Sequence, residues 1–246
     1  MEFRLTPIGL VHTCFKEKFG IPRQPNLVKE APGTLIFYPE FAREEAVRAL
    51  EGFSHIWIIF LFHKAFTKEG QAGKAPSWSP MVRPPRLGGN KKVGVFASRS
   101  PFRPNPVGMS CVALDRVEIS GQGPVLHLSG VDLLDQTPVV DIKPYLPYSD
   151  ALAHARDGFA GGPPRPGLDV TFSDRALAYL EEKEHTIPNL RAVVTGVLEN
   201  DPRPAYANGE DTDRIYGFRL FDLEIKWQVS GDRLRVISVR DATPGT

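Results

Sequence analysis

The chain has 246 residues and a formal net charge of +1; 41% of the residues are hydrophobic and 24% are charged. That balance is ordinary for a soluble protein, and the length suggests one or two domains with a real core. The longest apolar run, residues 56–62, is too short to span a bilayer, and Glu2 and Arg4 interrupt any apolar start that a signal peptide would need. We therefore expect a cytoplasmic protein with no membrane segment.

Glycine and proline, 22 and 23 residues respectively, favour short strands and turns over long helices. Cys14 and Cys111 lie singly on strand-like segments, and neither the cysteines nor the six histidines have the spacing of a metal site. We expect buried free thiols in a reducing compartment and no metal.

The first part of the chain, residues 1–159, is predicted to be mainly β. Alternating apolar residues indicate the strands, and Gly52 ends the predicted helix. The predicted elements are strands at 8–15, 34–38, 53–62, 93–97, 107–119, 125–134 and 139–142, one helix at 42–50 and a surface loop at 67–80. Short strands with closely spaced turn signals favour a barrel or a sandwich.

Residues 160–167, AGGPPRPG, have the composition of a linker and mark the domain boundary. Residues 168–246 are expected to form a small α+β domain. Ser173 is the expected N-cap of a helix that runs to about residue 184. A second helix and a final hairpin are predicted at 190–199 and at 215–229 with 234–239.

The most informative stretch is residues 94–110, GVFASRSPFRPNPVGMS. Its three prolines fix φ and push the residues before them toward extended geometry. The loop therefore holds Arg99, Arg103 and Asn105 in nearly set positions, and their planar donor groups suit a preorganised polar site. A stiff turn between two strands is the simpler interpretation for an arbitrary protein.

A basic run surrounds this stretch: between Glu69 and Asp115 there are seven basic residues and no acidic one. Such a run is usually a solvated face, but its positive field would also attract phosphates or a carboxylate ligand. The seven residues are Lys74, Arg83, Arg86, Lys91, Lys92, Arg99 and Arg103.

No Gly-x-Gly-x-x-Gly follows a strand and no Walker-type phosphate loop occurs, so the usual nucleotide-binding motifs are absent from the sequence. Asp132 and Asp135 are expected to serve the turn before Pro138. The residues alone predict a cytoplasmic β-rich protein with a preorganised basic site. Its candidate polar groups are Arg23, Gln24, His63, Arg99, Arg103, Asn105, Asp141 and Lys143.

At these residues the chain resembles the TrmO family of tRNA methyltransferases, also called TsaA-like or YaeB-like. The resemblance implies a mainly β fold, with a single-sheet β-barrel methyltransferase domain, a small α+β C-terminal domain and a homodimer. The matching blocks span nearly the whole chain in family order; they are FKEKFGIPRQPNLV, LEGFSHIWIIF, VRPPRLGGN, GVFASRSPFRPNPVGMS, DLLDQTPVVDIKPYLPY and DPRPAY.

The resemblance also implies an activity. It is the S-adenosyl-L-methionine (SAM)-dependent N6-methylation of N6-threonylcarbamoyladenosine (t6A) at position 37 of threonine tRNA, which gives m6t6A. The threonine carboxylate of that base and the anticodon-loop phosphates both suit a basic patch without acids, because an arginine fork binds either group. Single-stranded bases are usually held by aromatic stacking, for which Phe102, Tyr145 and Tyr148 are candidates.

The resemblance places residues at the site, whereas the division of catalytic roles among them is our hypothesis. Asp141 is the expected proton acceptor or the group that orients it, while Asn105 positions the carbamoyl and Lys143 the carboxylate; Tyr145 completes the catalytic set. Arg103, Lys91 and Lys92 are expected to contact RNA. The expected cofactor contacts are Pro22, Arg23, Gln24, His63, Lys64, Arg99, Ser129, Val139, Val140, Asp141 and Ile142.

Gln136 is a departure from the family pattern, which usually has glycine at this position; Gln136 is strained if the turn needs a positive φ.

Two other functions stay open on the sequence. One is a non-catalytic RNA-binding β-barrel module, which predicts binding to many RNAs and no cofactor. The other is a barrel enzyme acting on a small anionic substrate, which predicts no tRNA affinity.

Overall fold

The structure is a computed structural model that describes residues 4–64, 78–162, 167–203 and 214–243. Six antiparallel strands of the first part close into a barrel in the order β1-β2-β7-β6-β3-β8, which confirms the predicted barrel. A two-stranded ribbon, β4-β5, lies in the connection between β3 and β6. The strands are β1 Gly9–Thr13, β2 Pro32–Phe37, β3 His55–Leu61, β4 Met81–Val82, β5 Val93–Gly94, β6 Val107–Ser120, β7 Gly123–Ser129 and β8 Thr137–Pro144.

Side chains point alternately into and out of the barrel along its strands, and the inward ones fill its interior. Buried and half-buried residues alternate strictly in β1, β3 and β7, so every second side chain points inward. The inward side chains are apolar and almost fully buried, and they include Val11, Leu35, Ile56, Ile58, Val112, Leu126 and Leu128. The interior is therefore a packed core, and polar chemistry is left to the connections.

Three connections leave the barrel at the same end. Because neighbouring strands are antiparallel around the closed barrel, β1, β3 and β7 run in the same direction and finish at one end. The connections are the β1–β2 loop (residues 14–31), the β3–β6 connection (62–106) and the β7–β8 segment (130–136). We call this the loop end of the barrel. It carries nearly all of the motifs that the sequence singled out.

After the short helix α1 (Pro147–Asp150), the second part of the chain forms an α+β unit, as expected. Its sheet has the order β10-β11-β12-β9, with β9 parallel to β12. The Ser173 Oγ accepts a hydrogen bond from the Ala176 N–H at 3.2 Å, which confirms the predicted N-cap. The elements are β9 Asp169–Phe172, α2 Asp174–Glu184, α3 Leu190–Glu199, β10 Tyr216–Leu220, β11 Leu223–Ser230 and β12 Arg233–Asp241.

Several predicted elements were wrong in type or extent. The helix expected at 42–50 is two 3-10 turns, Glu44–Val47 and Leu50–Gly52, because Ala49 between them is left-handed with φ 66°. The strand expected at 93–97 stops after Gly94 and becomes a 3-10 turn, Val95–Ala97. The remaining 3-10 turns are Pro85–Leu87 and Gly158–Ala160.

Positive φ angles explain two further differences. The strand expected at 125–134 ends at Ser129, since Gly130 has φ +72° and turns the chain away from the sheet. The strand expected at 215–229 is two strands, because Phe221 has φ 53° and makes a tight turn. β9 was not predicted at all. Most of the predicted loop at 67–80 and half of the predicted linker at 160–167 lie outside the described residues.

Both thiols are free, and burial raises the pKa of Cys14 to about 12, so that thiol stays protonated. Cys111 is half-buried rather than buried.

Within the described part of the chain, no helix has the length and apolar character to cross a bilayer. In those same ranges, no group of three His, Cys, Asp or Glu side chains is arranged to hold a metal ion.

Candidate active site

Hydrogen bonds tie the three connections of the loop end to one another. The Lys18 Nζ of the β1–β2 loop donates to the Lys64 carbonyl, which follows β3, at 2.5 Å. The Asn26 N–H donates to the Gly130 carbonyl at 2.9 Å, and the Asn26 side-chain amide donates to the Cys111 carbonyl at 3.0 Å. A Cβ on Gly130 would lie 2.3 Å from the Asn26 Oδ1, so only glycine permits this approach.

The arginine at the start of the proline-rich loop meets the β1–β2 loop. The Arg99 Nη1 donates to the Gln24 Oε1 at 2.5 Å, which joins two elements that are 75 residues apart in the sequence. Arg99 is exposed and Gln24 is half-buried. The remaining donors of the guanidinium can therefore face a ligand while Gln24 fixes its orientation.

Asp132 lies next to this pair and is partly covered. The Ser110 Oγ, on the inward face of β6, donates to the Asp132 Oδ1 at 2.6 Å. Burial raises the pKa of the Asp132 carboxyl to about 6, although the Ser110 hydrogen bond and the charge of Arg99 act in the opposite direction. Asp132 was assigned to the turn before Pro138, and that assignment was wrong because its carboxylate is bound to the barrel wall.

The turn before β8 is instead held by Asp135. Its carboxylate accepts hydrogen bonds from the Thr13 N–H and the Lys16 Nζ, both at 2.9 Å. Burial alone would raise the pKa of the Asp135 carboxyl, but the bonds from Lys16 and Thr13 outweigh it and hold that pKa below its usual range. Gln136, the next residue, has φ 61°, so the turn does need the left-handed conformation that strains a non-glycine residue.

His63 follows β3 at the loop end. Burial lowers the pKa of its imidazole, and the neighbouring charges of Lys64 and Lys18 lower it further. The ring is therefore neutral at pH 7 and offers one donor and one acceptor.

Arg103 organises the proline-rich loop from inside. Its Nη1 donates to the Ser98 carbonyl at 2.7 Å and to the Val95 carbonyl at 3.1 Å, and its guanidinium lies 5.6 Å from the centre of the Phe96 ring. Its donors are thus partly engaged within its own loop. Asn105 is exposed, and its carbonyl accepts from the Val107 N–H at 2.8 Å.

Other predicted cofactor contacts lie nearer the strand ends. Pro22 is buried and Arg23 is exposed in the β1–β2 loop. Ser129 is the last residue of β7, and its Oγ donates to the Asp115 Oδ1 at 2.8 Å. Val139 is fully buried in the barrel, whereas Val140 and Ile142 are half-buried. Lys91 and Lys92 are both exposed just before β5.

Asp141 and Lys143 lie on the outer wall of the barrel. They are the cross-strand partners of Ile59 and Trp57, which alternate with the inward residues of β3. The Lys143 Nζ is 2.9 Å from the Asp141 Oδ2, and both side chains are about half exposed. Tyr145 packs against Trp57, with ring centres 6.0 Å apart, toward the opposite end of the barrel. Within this chain, these three residues therefore lie away from Arg99 and Gln24.

Comparison with known proteins agrees with this architecture. The model of the tRNA-methyltransferase O N-terminal domain matches residues 10–151, and the model of the TrmO C-terminal domain matches residues 165–242. The chain belongs to the TrmO family. The match to the two models covers both the barrel and the α+β unit, as the sequence blocks predicted.

Two relatives and one solved structure cover nearly the whole chain. An Escherichia coli (strain K12) protein named tRNA (adenine(37)-N6)-methyltransferase is 44% identical over 97% of this chain and 98% of its own length. A Pseudomonas aeruginosa protein named putative S-adenosylmethionine-dependent methyltransferase RcsF is 45% identical over 97% of this chain and 98% of its own. The crystal structure of TrmO from Pseudomonas aeruginosa superimposes with a TM-score of 0.79 at 40% identity, covering 98% of this chain and 99% of that one.

Sequence reasoning missed three members of the loop-end network in this TrmO-family chain: Asp132, Ser110 and Asn26. Ser110 could have been found from its place at an inward position of β6, where a hydroxyl needs a partner. Asp132 follows Gly130 by two residues, but no local pattern shows that it turns back onto β6. A polar residue at an inward strand position was therefore the one signal in the sequence from which this network could have been predicted.

Proposed function

We propose that this protein methylates N6 of t6A at position 37 of threonine tRNA in the cytoplasm, with SAM as the methyl donor, giving m6t6A. The observation that carries the proposal is the Arg99–Gln24 pair beside the covered carboxylate of Asp132 at the loop end, in a chain of the TrmO family. Relatives named tRNA (adenine(37)-N6)-methyltransferase support the reaction class.

The groups at the loop end fit the chemistry of SAM, which has a carboxylate, an ammonium and a sulfonium. Arg99 and Arg23 are permanent cations that suit the carboxylate. The neutral imidazole of His63 suits an uncharged donor or acceptor of the nucleoside. The bound cofactor supplies an electrophilic methyl group on a good leaving group, so the protein mainly has to align the reacting atoms.

Recognition of the tRNA is assigned to the exposed cations and aromatic rings around the loop end. The exposed Lys91 and Lys92 are assigned to phosphates, and Phe102 and Phe96, which are 45% and 72% exposed, are assigned to stacking. Arg103 contributes mainly by shaping the loop, because its Nη1 binds two carbonyls there. Asn105, at the exposed end of the same loop, is assigned to the carbamoyl group.

The proton on N6 must leave when the nitrogen gains the methyl group, and two carboxylates compete as its acceptor. Asp141, the residue expected from the sequence, is ion-paired with Lys143 on the outer wall of the barrel, away from the Arg99–Gln24 pair. Asp132 is covered, is at the loop end and has a pKa of about 6, close to that of an efficient general base. We assign the proton to Asp132, while Asp141 fixes Lys143 for the substrate carboxylate.

A homodimer is part of the proposal. Along the outer wall, Met109 is 53% exposed and pairs across strands with Ile59, next to Trp57 and Cys111. A second copy packed on this wall would cover these apolar side chains and enclose Asp141 and Lys143 in the interface. Light scattering should give twice the chain mass for the wild type and the single mass for Met109→Glu.

The direct test is single-turnover methylation of one threonine tRNA, made with and without the threonylcarbamoyl group. A site built around a polar group discriminates by about 10⁴–10⁵ against a substrate that lacks it, since its buried donors are left unpaired. We expect methylation only of the modified tRNA. Equal rates on the two tRNAs would contradict the substrate, and no heat with SAM or S-adenosylhomocysteine in calorimetry would favour a non-catalytic RNA-binding barrel.

A further inference from the structure

We propose that the C-terminal α+β unit is a brace that holds the β1–β2 loop, and with it Arg23 and Gln24, in the geometry that cofactor binding needs. The inference rests on the cofactor site proposed above and gives the second half of the chain a positioning role. Contacts at the start, the middle and the end of the loop carry it.

At the start of the loop, β10 and the turn after it bind one backbone carbonyl and one side chain of the loop. The Phe221 N–H donates to the Cys14 carbonyl at 2.7 Å. The Arg219 N–H donates to the Glu17 Oε1 at 2.9 Å. These bonds connect positions more than 200 residues apart, so the course of the chain after β1 depends on the C-terminal sheet.

The loop then presses against a buried ring of β10. Gly20 has φ +91°, and a Cβ there would lie 3.2 Å from the Phe218 ring. Phe19 meets the same ring edge-on, with ring centres 6.4 Å apart. The contact leaves no room for a side chain at residue 20, just before the segment that carries Arg23 and Gln24.

In the middle of the loop, the contact comes from an arginine of the α+β unit. Arg203 is only 6% exposed, and its guanidinium binds both carboxylate oxygens of Asp201 at 2.8 Å. That two-pronged bond fixes the backbone of residue 203. Its carbonyl accepts a hydrogen bond from the Arg23 Nη2 at 3.4 Å, so the Asp201–Arg203 pair positions one of the proposed cofactor contacts.

At the end of the loop, the contacts come from α3 and from Asn200, which follows it. The Asn200 side-chain amide donates to the Leu27 carbonyl at 3.4 Å and to the Gly196 carbonyl at 2.8 Å. Val28 is 2% exposed, and a Cβ on Gly196 would lie 3.0 Å from its Cγ1. Val28 is two residues from Asn26, which bonds to Gly130 at the site.

The physical need for a brace follows from the loop itself. Residues 14–31 contain no helix or strand, so ordering them costs conformational entropy that other contacts must offset. The barrel part accepts the hydrogen bonds that Lys18 and Asn26 donate, and the α+β unit contributes the four hydrogen bonds and two packing contacts described above. A displacement of about 1 Å at such a positioning element can cost about 100-fold in activity, so a small shift of the brace should be measurable at the cofactor.

The test is Gly196→Ala, which inserts one methyl group between α3 and Val28 without removing any contact and without weakening α3, because alanine favours helix. We expect about tenfold weaker binding of SAM and of S-adenosylhomocysteine in calorimetry. In the protein without ligand, amide hydrogen exchange should accelerate over residues 16–30 and stay unchanged in β6 and β7.

Two further variants test whether the effect of Gly196→Ala comes from the contact between α3 and Val28. Gly217→Ala adds the same methyl group in β10, where it meets only the Ile225 carbonyl at 3.4 Å and the Lys226 Cγ at 3.7 Å, so we expect wild-type binding and exchange. Val28→Ala in the Gly196→Ala background removes the methyl groups that the new Cβ strikes and should restore both readouts. Wild-type affinity and loop exchange in Gly196→Ala, or no restoration by Val28→Ala, would overturn the brace. If the wild type itself binds neither cofactor, the proposed function fails, while loop exchange still decides whether the brace exists.

Discussion

The loop end of the barrel and the α+β unit use charged residues in opposite ways. At the loop end, the Arg99–Gln24 pair and the carboxylate of Asp132 converge from separate connections. In the α+β unit, the core around Trp227 and Leu180 is mostly apolar and ion pairs such as Lys183–Asp241 lie on the surface, with the buried Arg203–Asp201 pair as the exception. Exposed pairs contribute little to stability, so the unit owes its rigidity to packing. The polar groups that we propose to bind ligand are thus at the loop end of the barrel, whereas the α+β unit is the rigid part of the chain.

The pKa shifts follow the same division. The Asp132 pKa rises because burial penalises its charge, whereas the pKa of Asp241 falls because Lys183 donates a hydrogen bond to it in water. A carboxyl whose pKa is raised by burial can exchange a proton near neutral pH. An exposed, paired carboxylate stays charged. The comparison therefore predicts that equivalent substitutions in the two regions will have very different effects.

The largest effect is expected from Asp132→Asn. Loss of the proton acceptor should lower the single-turnover rate by about 10²–10⁴ and leave binding of S-adenosylhomocysteine within a fewfold of wild type. The wild-type rate should fall below about pH 6, where Asp132 is protonated, and this acid limb should be absent in the variant. Asp241→Asn is the matched control in the α+β unit and should be fully active. An active Asp132→Asn together with an inactive Asp141→Asn would transfer the acceptor role to Asp141.

Arg99→Ala should weaken SAM about ten- to a hundredfold, because charge-assisted hydrogen bonds contribute about 1.5–3 kcal/mol. Its melting curve should hardly change, since the side chain is exposed and its hydrogen bond is to another side chain, that of Gln24. Calorimetry measures the first quantity and a thermal scan the second. Arg240→Ala, which removes an ion-pair partner of Glu224 on the α+β sheet, should bind SAM normally. Unaltered affinity in Arg99→Ala would make Arg99 a structural or RNA-facing residue.

Stability against pH should separate Asp132 from Asp135. The folded pKa of Asp132 is raised to about 6, so its charge costs stability as pH rises from about 4 to about 6, and Asp132→Asn should gain about 3 kcal/mol at pH 8 and nothing at pH 3. The pKa of Asp135 is lowered, so it stabilises the fold above its unfolded pKa and this stability disappears as pH falls. Asp135→Asn should therefore be less stable at pH 8 and equal to wild type in acid. Urea unfolding at the two pH values measures both, and shifts of the same sign would refute the assignment.

The smallest effect is expected from the basic run. Replacing Lys91 and Lys92 by alanine should reduce the slope of log affinity for tRNA against log salt by about 1–2, since each lost phosphate contact removes about 0.7–0.9. The single variant Lys226→Ala, on the sheet of the α+β unit, should leave the slope unchanged. An identical slope in the Lys91/Lys92 variant would mean that the pair is only a solvated surface.

Much of the fold could be predicted from the sequence, because the signals involved are local. The alternation in β3 and β7, the cap at Ser173 and the periodicity of α3 each report the environment of one segment. The strain at Gln136 was also foreseen, from a side chain standing where the family has glycine. The elements that failed, such as the helix at 42–50 and the end of the strand at 125–134, failed at single residues with positive φ, for which propensity gives little warning.

The sequence by itself determined which residue types were available: a proline-stiffened loop with Arg99 and Asn105, a Pro22–Gln24 element, and a basic run without acids. Only the tertiary structure decided which of them meet. Closure of the barrel puts three connections at one end, brings Gln24 to Arg99 across 75 residues and turns Asp132 onto Ser110. The same closure puts Asp141 and Lys143 on the outer wall, because side chains alternate across a strand and the cross-strand partner fixes the side on which each one lies. Proximity between distant segments is set by strand order and register, which no local pattern of residues encodes.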